Sequence, residues 1–431
     1  MSEKRIKLLF DASIIGNLLV KGGSRTGIFF VAYNTLKEFL NNPEIDLYLY
    51  ARVKEMGALL YAIEYDKDLK RRCKIAQIYG TLDKAIIKLE YLKIKNKFEK
   101  GNKILRIFIK LALSAVKLIK KIFGTKVNEK LLADYDALYS PHDFPNDTVL
   151  KNADIKKYFV VYDTIPLIFP QYFSRAIIDW FNTTIKNMSS ENHYFSISEN
   201  TQKDYVKYVP TLGLENITTT HLAASENFYP CTDVEKFEKV REKYNIPKGK
   251  KYIFSLCSLE PRKNLIMAVK AYLKFIDKHN MQDFVYVLGG SAWGGFIEQC
   301  EKEIPDFENS EDKIIRAGYI DDEDLASLYS NSEFFVYTSQ YEGFGLPPLE
   351  AMQCGKAVLT ANNSSLPEVV GNAAVMINFN SIEEHIEAYE KLYFDKDFRK
   401  KLEKKSLKRS KEFSWKKCVD TMVNVIKEDL V

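Results

Sequence analysis

Residues 339–358 read SQYEGFGLPPLEAMQCGKAV, and the order of residue types in this stretch decides the fold. The apolar run before it, EFFVYTS at 333–339, has the pattern of a buried strand. The chain then turns through Gly343 and Gly345. Pro347 and Pro348 suit a helix start, where a preset φ helps and no backbone donor is lost. Gly355 follows PLEAMQC as a left-handed cap. A strand, a glycine turn and a helix in succession make up the unit of an open α/β sheet. Bare backbone beside the positive end of a helix suits phosphate. Glu342 and Glu350 frame the turn. Carboxylates repel phosphate but accept well from hydroxyls, so two acids at different depths point to two sugars, such as a transferred hexose and a ribose. A lone Gly-Phe-Gly would read as well as a helix start with two solvated acids, so the surroundings matter.

Outward from this stretch, strand-like runs alternate with helical patterns in both halves of the 431-residue chain. In the first half they fall at 5–12, 45–51, 137–140, 156–163 and 192–198. In the second they fall at 251–257, 283–290, 313–319, 332–339, 356–362 and 373–379. The expected architecture is two Rossmann-like α/β domains facing each other across a cleft, where such sheets bind ligands at the carboxyl ends of their strands. A charged helical stretch and IPKGK separate the halves. The expected domains are 1–235, 236–412 and a last helix, 413–431, that returns to the first domain.

The composition, 46% hydrophobic and 28% charged, is that of a folded globular chain. The six cysteines form no CxxC and no Cys/His cluster, which argues against a zinc site and a disulfide framework. The first residues show no long apolar region or cleavage site, so the expected location is cytoplasmic. The net charge of +5 is concentrated: residues 92–130 hold twelve Lys and Arg against two Glu, leaving the rest net acidic. Within that segment, 104–123 carries too many charges to span a bilayer. At helical spacing Arg106, Lys110, Lys117 and Lys121 fall on one face, and Leu105, Phe108, Ile109, Leu113, Val116 and Ile119 largely on another. This reads equally as a helix in an anionic membrane interface and as a core helix with a solvated basic face. Aromatic residues are not interleaved with the basic ones, which argues against nucleic acid.

The run from 250 to 420 resembles the retaining glycosyltransferases of the group-1, or family-4, type with the GT-B fold. Their two Glu are separated by seven residues, as Glu342 and Glu350 are here, inside a stretch like this one with Lys356 where Pro is usual. The likeness continues through SLCSLEPRKNL (255–265), AGYIDDEDLASLYSNS and NNSSLPEVVGNAAVMIN. The resemblance implies that Glu350 holds the donor ribose and Glu342 grips the transferred sugar. The amides of Gly343, Phe344 and Gly345 meet the diphosphate, with Leu346 and Tyr319 also on the donor side. Arg262 and Lys263 would neutralise the departing diphosphate, stabilising the transition state more than the ground state, with no metal and no cofactor. Cys257 stands near a position where many relatives carry a further Arg.

The first half resembles the family less closely. Gly27, in VKGGSRTG, is similar to a donor-facing glycine, although an ordinary glycine loop fits equally. In YFVVYDTIP the family's usual His is Tyr162, and Asp163 is kept, making Asp163 a catalytic candidate and Tyr162 a sugar-facing phenol. His142 and Asp143 are acceptor candidates, with a loop histidine without function as the bland alternative. The implied reaction is transfer of a hexose, mannose or rhamnose favoured, from a nucleoside-diphosphate sugar with GDP-mannose preferred. The acceptor would be a polysaccharide or lipid-linked glycan in surface-polysaccharide assembly, with retention by front-face attack. Three competing readings stand beside this one: a metal site at Asp134-Tyr135-Asp136, a phosphorylase or epimerase on the same shell, and a non-catalytic sugar-nucleotide-binding partner subunit.

Overall fold

The computed structural model describes residues 4–16, 27–123, 132–142, 154–258, 260–290, 295–305 and 307–430. Two parallel sheets form the framework. The first comprises β1 (Ile6–Asp11), β2 (Ile45–Tyr50), β3 (Lys74–Ile75), β4 (Ala137–Ser140), β5 (Lys156–Val161), β6 (His193–Ser196) and β7 (Ile217–Thr219), ordered β3-β2-β1-β4-β5-β6-β7. The second comprises β8 (Lys251–Leu256), β9 (Phe284–Gly289), β10 (Ile314–Gly318), β11 (Phe335–Tyr337), β12 (Val358–Ala361) and β13 (Ala374–Ile377), ordered β10-β9-β8-β11-β12-β13. This is the two-domain Rossmann-like arrangement expected from the sequence. Strands covered on both faces need unbroken apolar runs, and β9, FVYVLG, is buried along its whole length. The edge strands β3 and β7, of two and three residues, are missing from the sequence expectation because so short a run leaves no periodicity.

In both sheets the strand order reverses beside the first strand, between β1 and β4 and between β8 and β11, while all strands stay parallel. A crevice opens at such a switch point. The chain crosses between domains after Ala224, which packs in the first core, and before the helix Val234–Lys243, whose Val240 packs in a core of the second. The last helix, Trp415–Leu430, buries Cys418, Val419, Met422, Val423 and Ile426 in the first domain's core. Asp429 accepts a hydrogen bond of 3.1 Å from Tyr158, and Lys427 pairs with Glu44. Phe344, Leu349 and Val369 of the second domain join the same core.

Helices α1 (Gly27–Asn41), α2 (Val53–Tyr65), α3 (Lys67–Arg72), α4 (Thr81–Phe98) and α5 (Lys103–Phe123) flank the first sheet's β1–β2–β3 side. Here the structure corrects the helical wheel drawn from sequence. Of the apolar stripe, only Ile109, Leu113 and Val116 pack inward, against Ile86 and Leu89 of α4 and Val53 of α2, whereas Leu105, Phe108 and Ile119 face solvent. Of the basic face, Lys117 pairs with Glu90 at 2.8 Å; Lys120, outside that face, pairs with Asp83. Alternation shows that two faces exist, but the partner helix decides which one is covered. Residues 124–130 of the basic segment lie outside the described residues.

Candidate active site

The carboxyl ends of β8 and β11 place the charged groups. After β8 a short turn, Pro261–Lys263, presents two cations, and Asn264 ends it in a left-handed conformation (φ 58°) that lets the next helix start. After β11 the chain reaches Glu342. One Glu342 oxygen takes Lys263 Nζ at 2.7 Å, the Tyr337 hydroxyl at 3.0 Å and Arg262 at 3.2 Å. Arg262 also donates to the Tyr341 carbonyl at 2.5 Å. Burial alone would raise the Glu342 carboxyl, but Lys263 and Arg262 beside it hold it at about 2. Glu260, 44% exposed, also stands 3.6 Å from Arg262, so Lys263 and Arg262 are answered by one buried acid and one half-exposed acid.

Glu350 has the opposite surroundings. It sits on the helix Leu346–Gln353, and its described hydrogen bond comes from the Tyr329 hydroxyl at 2.8 Å. Burial pushes its carboxyl up to about 7, the Tyr329 bond offsetting part of the rise and Asp322 adding to it. Near neutral pH Glu350 is therefore poised between donor and acceptor, and hydroxyl donors on a ligand would favour its ionised form.

The glycines between these acids have steric reasons. A Cβ on Gly343 would sit 2.9 Å from Asp163 Cβ and from the Tyr162 carbonyl, so the two domains meet at bare backbone. Gly345 caps the helix at φ 114°, in the left-handed region, with Leu366 2.9 Å from any Cβ. Across this contact Thr201 donates to the Gly343 carbonyl at 3.1 Å and to the Tyr162 carbonyl at 2.8 Å. Tyr341 donates to Asp204 at 2.6 Å. Glu368 accepts from the Glu199 and Asn200 amides at 2.8 and 3.1 Å and contacts His221 at 2.9 Å. Gln353 donates to the carbonyls of Ser225 and Phe228.

Between the domains lies a cavity of about 580 Å³. Gly27, Tyr162, Asp163, Lys263, Tyr319, Glu342, Gly343, Phe344, Gly345, Leu346 and Glu350 all line it, so eleven of the fourteen catalytic, donor and acceptor candidates singled out from sequence converge on one space. Arg262 lies behind this wall, acting on the cavity through Glu342. His142, just beyond β4, is not among the lining residues, and Asp143 lies outside the described residues. The Tyr162 hydroxyl donates to the Pro141 carbonyl, so the ring faces the cavity while its donor is used within the protein. Asp163 accepts from the Ile165 amide at 3.1 Å, and burial raises its carboxyl. Burial pushes the lining Cys257 thiol up to about 12, so that position adds no charge. Asp136 stands at the other end of β4, where it accepts from the Lys7 amide at 2.8 Å and pairs with Lys4. The Asp-x-Asp motif is thus remote from the cleft. Sequence reasoning missed Tyr337, Tyr329 and Trp415 as parts of the site. Tyr337 at the end of an apolar strand was a readable signal, whereas Tyr329 and Trp415 sit on helices whose placement depends on tertiary packing.

Comparison with known proteins agrees with this geometry. Residues 236–409 match the family described as glycosyl transferases group 1. The serotype-specific mannosyltransferase WbdA of Escherichia coli is 29% identical over 267 residues, 61% of this chain and 32% of the relative. The O-antigen chain mannosyltransferase B of Escherichia coli is 29% identical over 259 residues, 60% of this chain and 66% of the relative. The match thus spans about a third of the first and just under two thirds of the second. Among solved structures, a glycosyltransferase from Rickettsia africae superposes with a TM-score of 0.62 at 18% identity, covering 99% of this chain and 98% of the other. HepE of Anabaena, solved in complex with UDP and glucose, gives 0.63 at 15% identity, covering 98% and 99%. At such identities the likeness establishes the fold, which is the GT-B arrangement.

Proposed function

We propose that this chain, whose residues 236–409 form a group 1 glycosyltransferase domain, is a retaining, metal-independent hexosyltransferase. It moves mannose or rhamnose from a nucleoside-diphosphate sugar, GDP-mannose preferred, onto a polysaccharide or lipid-linked glycan in the cytoplasmic stages of surface-polysaccharide assembly. Residues 236–412 take the donor, residues 1–235 take the acceptor, and the last helix couples them. The preference for mannose rests on the mannosyltransferase relatives. The observation that carries the reading is the convergence of Lys263 and Arg262 on Glu342 in the wall of a cleft that also holds Glu350.

The diphosphate binds beside Lys263 and Arg262, and the growing charge on the leaving group is stabilised without a metal ion. Glu350 accepts from the ribose hydroxyls. Glu342, with one oxygen taking three donors and its carboxyl held at about 2, is a poor nucleophile. That favours front-face substitution over a covalent intermediate. The bond from the sugar anomeric carbon to phosphate breaks, the bond to the acceptor oxygen forms on the same face, and a donor phosphate oxygen takes the acceptor's proton. Asp163, in the same cavity, orients the sugar.

Incubation of the purified chain with GDP-mannose and a mannan oligosaccharide in EDTA, followed by NMR of the product, tests this. The expected product keeps the donor's anomeric configuration. An inverted centre, or a requirement for a divalent ion, would sink the mechanism. Phosphate-driven cleavage of a glycan would instead favour a phosphorylase.

A further inference from the structure

The α4–α5 hairpin leaves a surface that the active site does not explain. α5 runs for 21 residues and carries no Asp or Glu. Its inner side is satisfied: Ile109 and Leu113 are buried on α4, Lys117 reaches Glu90, and Lys120 reaches Asp83. On its outer side Ile104, Ile107, Phe108, Leu111, Leu118 and Ile122 are each at least 58% exposed. Singly exposed apolar residues are ordinary, but a continuous stripe along a helix about 31 Å long marks an interaction surface. Along one edge of this stripe run Lys103, Lys110 and Lys121, all exposed and separated by two and three helical turns.

We propose that this face of α5 docks on an anionic lipid bilayer, lying in the plane of the interface with its apolar stripe among the acyl chains and its lysine edge on headgroup phosphates. Among the described residues no helix is long and apolar enough to cross a membrane, so α5 lies on the surface. Charge complementarity selects the occupant. A second copy would bring the same lysines and no acid from α5 to answer them, whereas an anionic bilayer supplies both hydrocarbon and phosphate. Pairing of Lys117 and Lys120 with α4 gives the helix its orientation, since it draws those cations inward and turns the apolar arc outward. Val53, on which the hairpin packs, begins α2 just beyond the carboxyl end of β2. The docked face is therefore near the cleft end of the first sheet, where an acceptor carried on a lipid would arrive. That last placement rests on the glycosyltransferase reading; the docking itself does not.

The test is flotation of the full chain with phosphatidylcholine vesicles, with and without phosphatidylglycerol. Binding is expected only with the anionic lipid and should fade as salt rises. Replacing Lys103, Lys110 and Lys121 by Gln should lower partitioning about a hundredfold, from roughly fivefold per lysine near the surface. Phe108→Glu together with Leu111→Glu should abolish binding while leaving the melting temperature unchanged. Phe108→Trp should show a blue-shifted emission on adding anionic vesicles, which reports insertion independently of any disruptive change. Failure of the wild-type chain to bind anionic vesicles would overturn the proposal, as would binding unaltered by the Glu pair. So would a wild-type dimer that the Glu pair converts to monomers.

Discussion

Two clusters in this molecule are each built on one buried Glu that takes two cations, in different solvent; at the cleft a second, half-exposed acid, Glu260, also stands 3.6 Å from Arg262. At the cleft, Glu342 lies 2.7 Å from Lys263 and 3.2 Å from Arg262, and all three side chains are only 10% exposed. On the outer helices, Glu90 lies 2.8 Å from both Lys93 and Lys117, and both lysines are 44% exposed. Water and salt screen the outer cluster, which fastens one helix to another. The cations of the inner cluster are shielded from water, so they act more strongly than the outer lysines on whatever comes near them. Similar charges thus serve as a fastener in one place and, in the proposed mechanism, as part of an anion site in the other.

The comparison is sharpened most by Lys263→Ala against Lys117→Ala, read as turnover. Loss of Lys263 should lower kcat about a hundred- to a thousandfold, the scale of removing one transition-state donor, while loss of Lys117 should leave it unchanged. Equal effects would break the distinction. Next in size is chemical unfolding of the acid variants. Glu342→Gln removes the buried acid that Lys263 and Arg262 share and should cost about 3–5 kcal/mol, whereas Glu90→Gln, whose lysines can turn to water, should cost about 1 kcal/mol. The Glu342 contribution is present above its ordinary value of 4.5 and is lost as pH falls toward about 2, because the folded carboxyl is depressed.

Glu350 provides the contrast of a half-buried acid that no cation pairs with among the described residues. Its folded carboxyl titrates near 7 against an ordinary 4.5. The unfolded chain gives up this proton first, so stability falls as pH rises from 4.5 through about 7. Glu350→Gln should therefore melt higher than wild type at pH 8, with a smaller gap at pH 5, even as it loses donor binding. A gap independent of pH would contradict the burial argument. The smallest effect is the stability change of Lys117→Ala, about 0.5 kcal/mol and vanishing in high salt. A larger, salt-independent loss would mean the outer cluster is less screened than its exposure indicates.

The contrast also explains what could be read before the structure. The second domain was legible because its site is local: β11, the Gly343–Gly345 turn and the helix with Glu350 are contiguous, and Arg262 and Lys263 follow the neighbouring strand. The first domain's contribution is assembled from distant segments. Gly27, Tyr162 and Asp163 line the cavity, but nothing in the sequence shows that the Tyr162 hydroxyl is taken by the Pro141 carbonyl. Which side of α5 is covered is hidden from the sequence for a similar reason. Helical periodicity counts apolar and charged positions without seeing Glu90 and Asp83 on α4, which draw Lys117 and Lys120 inward and leave Phe108 in solvent.

The most direct measurement is donor-induced melting: GDP-, UDP-, dTDP- and ADP-sugars in EDTA on wild type, Lys263→Ala, Glu350→Ala and Lys117→Ala. A ligand that binds only the folded chain raises its melting temperature, by about 2.7 kcal/mol of stabilisation at a hundredfold excess over Kd. One donor class is expected to shift wild type and Lys117→Ala alike and to shift neither Lys263→Ala nor Glu350→Ala. A shift surviving both cleft substitutions, or no shift with any donor, would contradict it.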